Sequence, residues 1–398
     1  MKKSIILSIA AALLSAYAFG QAASQPKGPE YEFKVIKENG ITPVKNQYRS
    51  GTCWCYSGIG FIESEVLRQT GKEVDLSEMF VVSKSYHDRA VKYVRLDGHL
   101  NFAAGSSFGD VFEVVKKYGI VPQEAYPGMQ YGTELPVQAE MDAALLGYVK
   151  AIASNPNREL STAWQKGLDG ILQAYQGAWP ESFQADGISY TPESYRDALG
   201  INVDDYVNIC SFASEPLYEP HVIEVCDNWR WGSAYNVTMD EMMDIMYNAI
   251  EKGFTIAWGA DVSEKGFTRD GIATCPVQEP KKKVAAGSDQ EHWLGKDNTK
   301  PEEPEVQAIP EEIKVTDEMR QDAYDRKTTT DDHGMQLYGI AEDQNGTRYF
   351  MMKNSWGETG KYKGLWYVSD TYVRYKTLNF IIHKDALPKD MKKKLGIK

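Results

Sequence analysis

The sequence has little cysteine, little positive charge and few long apolar runs, and each scarcity excludes a class of protein. Five cysteines among 398 residues do not make a disulfide framework in a chain of this size, and their odd number leaves at least one free thiol. The 44 basic residues are outnumbered by 56 acidic ones, and the formal net charge of -12 disfavours nucleic acid and anionic membranes as partners. The remainder, with 42% apolar and 25% charged residues, is typical of a soluble globular protein.

The one long apolar run lies at the N-terminus. Two lysines precede an apolar stretch at residues 5–14, and Ala16-Tyr17-Ala18 follows it. This order predicts a secretory signal peptide over residues 1–20, because the stretch is too short to span a bilayer as a helix. A buried N-terminal helix is the alternative. We therefore expect an exported protein, periplasmic or extracellular, with residues 21–398 forming its domain.

Helical signals are concentrated in the first two thirds of the chain. Apolar spacing predicts a helix that begins at Cys53 and stops at Gly71. A second helix is predicted after Ser107 and Asp110, which have the spacing of a capping pair. Residues 138–250 are mostly helical in pattern.

The last third of the chain is strand-rich, after a polar interruption. Residues 276–312 hold five prolines and many charged residues, which predicts a mobile loop. For His292 and Trp293 within it, a solvated position is favoured over a recognition role. Strand patterns occupy residues 254–258, 335–340, 348–353, 364–368 and 378–382. Helices followed by strands predict an α+β fold.

The first candidate catalytic residue is the thiol at the start of the first predicted helix. A helix N-terminus carries unpaired N–H groups and a partial positive charge, so it lowers the pKa of a thiol and favours the nucleophilic thiolate. Gln47 precedes Cys53 by six residues, and it can donate a side-chain N–H to an oxyanion beside the backbone N–H of Cys53. Taken alone, a cysteine at such a position is more often a buried structural residue.

Two further residues complete a catalytic pattern. His333 follows two aspartates and begins a strand-like run, which could hold it at the rim of a cleft. Asn354 stands in the run Lys353-Asn354-Ser355-Trp356-Gly357. Its amide can accept a hydrogen bond from an imidazole, and the tryptophan can shield that bond from water. Thiol, imidazole and amide form the Cys-His-Asn variant of the catalytic triad.

The segments around these residues resemble those of the papain-like cysteine peptidases. The resemblance rests on residues 43–47, 51–54, 332–334 and 354–357. Papain carries a second cysteine shortly before its nucleophile, where this chain has Ser50, Gly51 and Thr52. The disulfide that papain forms through that cysteine is therefore absent.

Within that family the chain is similar to the branch of bleomycin hydrolase and aminopeptidase C. The similar segments are residues 51–54, 105–108, 190–193 and 258–262. His333 follows Cys53 by 280 residues, against about 130–150 in papain and cathepsins, and the surplus matches the helical insertion of the branch. The resemblance implies a papain-like two-part fold, with a helical part, a strand-rich barrel-like part and a large helical insertion at about residues 129–250.

The resemblance also implies roles for the catalytic residues. Cys53 would attack the scissile carbonyl, and His333 would protonate the leaving amine and then activate water. Asn354 would orient the imidazole, and Gln47 would donate to the oxyanion. No metal and no organic cofactor is implied, and the substrates would be peptides. Because bleomycin hydrolase is a hexamer, a homo-oligomer is a further expectation.

Four residues are implied to contact the substrate. Gly105 and Ser106 would lie along its backbone, and Trp356 would border the site. In this branch the C-terminal carboxylate holds the substrate's amine in the cleft and makes the enzyme an aminopeptidase, because a carboxylate facing an ammonium fixes one end of the substrate. Lys398 supplies that carboxylate here, although residues 392–398 are basic where the branch is apolar. Aminopeptidase action is expected, with endopeptidase action as the alternative.

Two other classes of protein are less favoured. A binding module with the same fold but no activity would usually have lost the cysteine or the histidine, and all four candidate catalytic residues are present. A thiol redox protein would depend on Cys53-Trp54-Cys55, which is a C-x-C motif rather than the C-x-x-C of such proteins.

Overall fold

The structure is a computed structural model, and it describes residues 29–156, 159–277 and 308–398. The predicted signal peptide at residues 1–20 therefore lies outside the described residues. The same is true of His292, Trp293 and most of the loop predicted at residues 276–312.

The chain divides into two units. The larger contains residues 32–278 and 311–398, and the smaller contains residues 1–31 and 279–310. The described residues of the smaller unit belong to neither a helix nor a strand. The elements given below are all part of the larger unit.

Helices and strands are numbered separately along the described chain. Helices α1 to α10 are Cys53–Thr70, Glu78–Arg95, Gly109–Tyr118, Ala139–Ala153, Ala163–Gln176, Pro192–Ala198, Met239–Glu251, Asp317–Asp325, Asp370–Lys376 and Lys389–Lys394. Strands β1 to β12 are Lys34–Glu38, Phe183–Ala185, Ile188–Tyr190, Tyr206–Cys210, Pro220–Val222, Ser233–Asn236, Ile256–Ala260, Ile272–Ala273, His333–Glu342, Arg348–Lys353, Leu365–Ser369 and Thr377–His383. Short 3₁₀ turns occur at Val203–Asp205 and Lys384–Ala386.

The strand-rich part is a ten-stranded sheet in the order β5-β6-β4-β12-β7-β9-β10-β11-β8, with β1 also paired to β9. The pairs β4–β6 and β8–β11 are parallel and the others are antiparallel. β9 begins at His333, which pairs with Ala260 at the end of β7. Nine of the ten residues of β9 are buried, so the strand holds its first side chain firmly inside the unit.

The helical part has its own apolar core, formed mainly by α1 to α5. α1 is buried on nearly all sides from Trp54 to Val66, because it packs against the other helices on one side and against β9 on the other. The helix ends at Gly71, which adopts φ 72° and donates its backbone N–H to Leu67. Glycine reaches this left-handed conformation without a steric penalty, so the predicted start and stop of this helix are confirmed.

A second apolar core lies on the sheet and is completed by α7. Thr238 and Glu241 form the capping box that begins α7. Met242 and Met246 of this helix are completely buried against the sheet. These methionines therefore fill the core rather than contact a cofactor.

The structure differs from the sequence-based expectations at two places. α3 begins at Gly109 without a side-chain cap, because its N-cap residue is Phe108, whose side chain has no acceptor. The carboxylate of Asp110 accepts from the hydroxyl of Ser106 instead of forming the predicted capping pair with Ser107. Residues 138–250 contain less helix than their sequence pattern predicts, because five strands, β2 to β6, lie between α5 and α7. β4 and β6 extend the main sheet.

A helical part beside a strand-rich part confirms the α+β class and the two-part architecture. No helix in the described ranges is long and apolar enough to cross a membrane.

Candidate active site

One cavity is lined by residues of both parts of the fold. Cys53 comes from the start of α1, and His333 from the start of β9. Gly105, Asp227 and Asp331 line the same cavity. The cavity therefore brings a thiol, an imidazole and carboxylates together, although they are far apart in the sequence.

The turn before α1 places Cys53 at the first helical position. Gly51 has φ 65°, and a Cβ atom on it would lie only 3.0 Å from the Cβ of Ala104. The carbonyl of Thr52 accepts the first helical hydrogen bonds, including one of 2.9 Å from the backbone N–H of Cys55. Thr52 makes no side-chain cap, so the first N–H groups of the helix stay free to face the cavity.

His333 is held beside this turn by the close approach of two backbones. A Cβ atom on Gly334 would lie 3.2 Å from the Cα of Trp54 and 2.7 Å from the Oγ of Ser57. Only a glycine leaves enough room for β9 to approach α1 so closely. The imidazole itself is 6% exposed.

Asn354 lies directly after β10 and contacts the imidazole. Its Oδ1 is 2.7 Å from Nε2 of His333 and also accepts a hydrogen bond of 2.8 Å from the backbone N–H of Ser355. An amide oxygen can only accept, so Nε2 carries the proton and Nδ1 is left as the basic nitrogen. The ring of Trp356 stacks on the imidazole at 4.8 Å between centroids, which limits the access of water to this hydrogen bond.

Gln47 is attached to the same segment from the other side. Its backbone N–H donates to the carbonyl of Ser355 over 2.8 Å, and its Oε1 accepts a hydrogen bond of 2.6 Å from the hydroxyl of Ser355. The side-chain oxygen is thereby fixed and the Nε2 donor is left for another acceptor. Donation to an oxyanion needs such a free side-chain N–H, although Gln47 is not among the residues that line the cavity with Cys53.

The electrostatics of the thiol differ from the sequence-based expectation. Burial raises the pKa of Cys53 to about 11, and the carboxylates of Asp331 and Asp227 act in the same direction. The backbone N–H groups of Gly334 and Trp54 oppose this shift. The backbone N–H at the start of the helix therefore lowers the pKa of the thiol as predicted, but the loss of water on burial has the larger effect.

The pKa of the His333 imidazole is shifted in the opposite direction, downwards. Burial lowers the pKa of His333 from 6.5 to about 4, while the hydrogen bond to Asn354 and the charge of Asp332 partly offset that effect. Both shifts favour the uncharged form of the group, the thiol of Cys53 and the neutral imidazole of His333. The imidazole can therefore act as a base toward the thiol.

The predicted substrate-binding residues differ in what they offer. Gly105 and Ser106 both line the cavity, but the hydroxyl of Ser106 is used by Asp110 and by the indole N–H of Trp229, which donates to it over 2.7 Å. Ser106 can thus offer only its backbone. Trp356 remains 37% exposed beside His333.

The predicted role of Lys398 at the site is not supported by the cavity lining and stays a prediction. The cavity lining does not include Lys398, and the segment before it packs against the sheet-side core. Leu395 is buried in that core, and Lys394 forms an ion pair of 2.6 Å with Glu241 at the start of α7. These contacts anchor the C-terminus by its apolar and basic side chains.

Asp227 lines the cavity but was not predicted from the sequence. It lies in a turn between β5 and β6, where short strands interrupt a stretch that reads as helical. No local pattern marks it, because its position depends on contacts with residues more than a hundred positions away.

No group of three or more histidine, cysteine or acidic side chains suited to a metal ion occurs in the described ranges. The five cysteines all lie within those ranges and are unpaired. The cavity therefore contains Cys53 as a free thiol.

Comparisons with known proteins agree with this arrangement. The profile of the papain family cysteine proteases matches residues 30–172, and that of the peptidase C1-like family matches residues 308–397. Aminopeptidase C of Lactococcus lactis subsp. lactis is 20% identical over 91% of this chain and 84% of its own length. Human cathepsin L2 is 35% identical over 20% of this chain and 27% of its own length. The crystal structure of PepW from Lactobacillus rhamnosis superposes with a TM-score of 0.66 at 19% identity, covering 91% of this chain and 84% of that one, which shows the shared fold.

Proposed function

The chain belongs to the papain-like cysteine peptidases, and on that basis we propose that it is an aminopeptidase that works through Cys53, His333 and Asn354. The observation that supports the triad best is the hydrogen bond of 2.7 Å between His333 and Asn354, since His333 and Cys53 line the same cavity. The aminopeptidase proposal draws on the similarity to aminopeptidase C over most of the chain.

The reaction begins with proton transfer from the thiol to the imidazole. Nδ1 of His333 takes the proton of Cys53, because Nε2 is engaged by Asn354. The sulfur attacks the scissile carbonyl, and the oxyanion that forms accepts hydrogen bonds from the backbone N–H of Cys53 and the side chain of Gln47. The imidazolium then protonates the leaving amine as the C–N bond breaks, which leaves a thioester on Cys53.

Water completes the cycle. Neutral His333 removes a proton from a water molecule, and the resulting hydroxide attacks the thioester. The C–S bond breaks, the sulfur recovers the proton from the imidazolium, and the carboxylic acid product is released. No redox change occurs in either half of the reaction.

A pair of thiol variants tests the proposal. Cys53→Ala should abolish hydrolysis of a free-amine peptide, whereas Cys55→Ala should keep most of it. The thiol of Cys55 is fully buried and lies 3.3 Å from the carbonyl of Glu78, so it cannot reach the substrate. Peptide hydrolysis and labelling by an irreversible alkylating agent are measured on both variants. Equal loss of activity in both, with intact folding, would contradict the assignment of the nucleophile.

The same assay distinguishes endopeptidase activity from aminopeptidase activity. An aminopeptidase should release residues one at a time from the N-terminus of a mixed peptide pool and should ignore the same peptides when their amines are acetylated. Rapid internal cleavage of the acetylated peptides would favour the endopeptidase.

Export and assembly are proposed on separate grounds. The signal-peptide pattern at residues 1–20 supports export to the periplasm or beyond, and the resemblance to bleomycin hydrolase supports a homo-oligomer. Intact-mass analysis of secreted protein should give a chain cut after Ala18 or Gly20, and native mass should give a multiple of it. Uncut protein in the cytoplasm would contradict export.

A further inference from the structure

We propose that the carboxylate of Asp227 binds the α-ammonium group of the peptide substrate and thereby limits cleavage to the first residue. The inference rests on the proposed peptidase function and adds the group that recognises the substrate's N-terminus. It gives Asp227 the role that the sequence had suggested for the C-terminal carboxylate.

The first observation is where the carboxylate lies. Asp227 lines the cavity with Cys53 and His333. Its Oδ2 occupies the space over the Cα of Gly105, so a Cβ atom on that glycine would overlap it. The preceding residue, Ala104, accepts a hydrogen bond of 3.0 Å from the indole of Trp54, which ties the segment to the turn that carries the nucleophile.

The position of Asp227 limits the length of substrate on the side of the N-terminus. Gly105 is the residue along which the substrate backbone is implied to run before it reaches Cys53. A peptide that continued past the first residue would meet the carboxylate on Gly105. A peptide that ends there would bring its ammonium to the carboxylate instead.

The negative charge of Asp227 is only partly compensated by the neighbouring side chains. Asn101 donates a hydrogen bond of 3.0 Å to Oδ1, and Nη2 of Arg89 is 4.0 Å from the same oxygen. Arg89 directs its other N–H groups at the carbonyls of residues 101, 103 and 105. Within the described residues Oδ2 receives no hydrogen bond, and an ammonium can supply one that is charge-assisted.

The turn that carries Asp227 is fixed in place. The side chain of Asn228 donates hydrogen bonds of 2.9 and 2.8 Å to the carbonyls of Ile223 and Gly232. The indole of Trp229 donates to Ser106 over 2.7 Å, and Arg230 lies 2.9 Å from Asp88. A carboxylate that recognises one end of a ligand must be held in this way, since a loose group would fix no register.

The other carboxylates of the cavity are less suited to the role. Asp332 accepts hydrogen bonds of 2.7 Å from Thr330 and 2.5 Å from Ser263, so its oxygens are already engaged. Asp331 is exposed and makes no contact with Gly105 of the kind that Asp227 makes. Asp331 therefore serves as the comparison in the test.

The test compares matched peptides on matched variants. Kinetic constants are measured for one peptide with a free amine and for its N-acetylated form, on the wild type and on Asp227→Asn, Asp331→Asn and Glu224→Gln. Glu224 is exposed, lies three residues before Asp227 and does not line the cavity, so its variant removes one charge from the same segment. Thermal unfolding and alkylation of Cys53 establish that each variant is folded and has an accessible thiol.

Asp227→Asn should lower the preference for the free amine, expressed as the ratio of the two kcat/KM values, by about 10- to 100-fold, since a hydrogen bond to a charged group is typically of that strength. The ratio cancels any effect on the thiol itself. Asp331→Asn and Glu224→Gln should leave the ratio within about twofold of the wild type. An unchanged ratio in Asp227→Asn, or a larger loss in Asp331→Asn, overturns the proposal.

A second pair of peptides distinguishes the two sources of an ammonium group. Both peptides are N-acetylated and differ only in carrying lysine or norleucine next to the scissile bond. The wild type should hydrolyse both of these peptides equally poorly, and Asp227→Asn should not favour either of them. A strong preference for lysine that Asp227→Asn abolishes would mean that the carboxylate binds a side chain, and the proposal would be wrong. Failure of the wild type to hydrolyse any of the four peptides would instead contradict the proposed function.

Discussion

At the scale of single residues, the surroundings of His333 lower the pKa of its imidazole, which keeps the base neutral. It is buried, it is covered on one face by Trp356, and it donates to Asn354. Burial disfavours the charged form, so its pKa falls to about 4. A base of this kind remains available in acid, where an ordinary histidine would be protonated.

The pH dependence of the reaction should reveal this shift. Neutral His333 is the form that accepts the thiol proton, and its lowered pKa keeps it neutral from pH 6.5 down to about 4. The acid limb of kcat/KM should therefore lie below pH 5.5, roughly one unit or more under the position expected for an unperturbed histidine. A rate profile between pH 4 and 8 measures it.

The control for that profile is the neighbouring carboxylate. Loss of hydration at the cavity, together with the charges of Asp227 and Asp332, raises the pKa of Asp331 to about 7, although the residue keeps contact with solvent, so it titrates within the same window. If His333 governs the limb, Asp331→Asn should not move it. A limb near pH 6.5 in both proteins would show that burial does not protect the base.

At the scale of elements, the site depends on the packing of β9 against α1. Gly334 is the point of closest approach, next to the backbone of Cys53 and Trp54. The strand cannot move away without disturbing its pairing with β7, which includes the pair of Ala260 with His333. The close approach of β9 to α1 thus depends on a glycine at position 334.

Gly334→Ala should lower both stability and activity. The added methyl group would lie 2.7 Å from Oγ of Ser57 and 3.2 Å from the Cα of Trp54, and one of these contacts is with backbone that cannot rotate away. Overpacking of this kind costs about 1–3 kcal/mol, and the shift of β9 should reduce kcat by about tenfold or more. Chemical unfolding and peptide hydrolysis are measured together.

Gly147→Ala is the matched control. Gly147 lies inside α4 with no heavy atom near the added methyl group, so this variant should gain about 0.5–1 kcal/mol and keep full activity. A Gly334→Ala protein as stable and active as the wild type would show that the close approach does not position His333.

Local signals account for the elements that the sequence predicted well. The stop of α1 at Gly71 and the capping box of α7 depend on one or two neighbouring residues, and β9 to β12 follow from runs of buried residues. The strands β4 to β6 were not predicted, because they are short and are stabilised by pairing with distant strands such as β12. Tertiary pairing decides such segments, and propensity does not.

The residues of the candidate site also differ in whether local sequence signals predict them. Cys53, His333 and Asn354 stand in compact motifs, so their positions were predicted from a few residues each. Asp227 has no motif, and its place over Gly105 depends on how the turn between β5 and β6 docks on α2 and α3. The role of Lys398 was inferred from resemblance alone, and the segment before it packs against α7.

At the scale of the whole molecule, the segment from α4 to β6 contributes to both halves of the fold. Its helices α4 and α5 join the core around α1, while β4 and β6 extend the sheet that carries β9. The turn with Asp227 lies between β5 and β6. A segment tied to both halves can hold a carboxylate rigidly in the cavity between the helical core and the sheet.

We expect the C-terminus to contribute to stability in this architecture rather than to specificity. Leu395 is 6% exposed in the sheet-side core, and Lys394 pairs with Glu241 at the start of α7. Deletion of residues 395–398 should therefore lower the free energy of unfolding by about 2–3 kcal/mol, chiefly through the lost burial of one leucine. Chemical unfolding measures the loss, and the full-length variant Leu395→Ala should show a loss of similar size.

The same deletion distinguishes the two carboxylates proposed to bind the substrate's amine, that of Asp227 and that of the C-terminus. If the terminal carboxylate held the ammonium, the truncated enzyme would cut an N-acetylated peptide internally, and removal of Lys398 alone, an exposed residue, would already change the preference. Because Asp227 lines the cavity and Lys398 does not, we expect both truncated proteins to keep the wild-type ratio of free-amine to acetylated hydrolysis at temperatures where they are folded. Asp227→Asn should lower that ratio, and its free energy of unfolding should fall by less than that of the protein lacking residues 395–398. A truncated enzyme that cleaves the acetylated peptide well, while Asp227→Asn still rejects it, would return the role to the C-terminus.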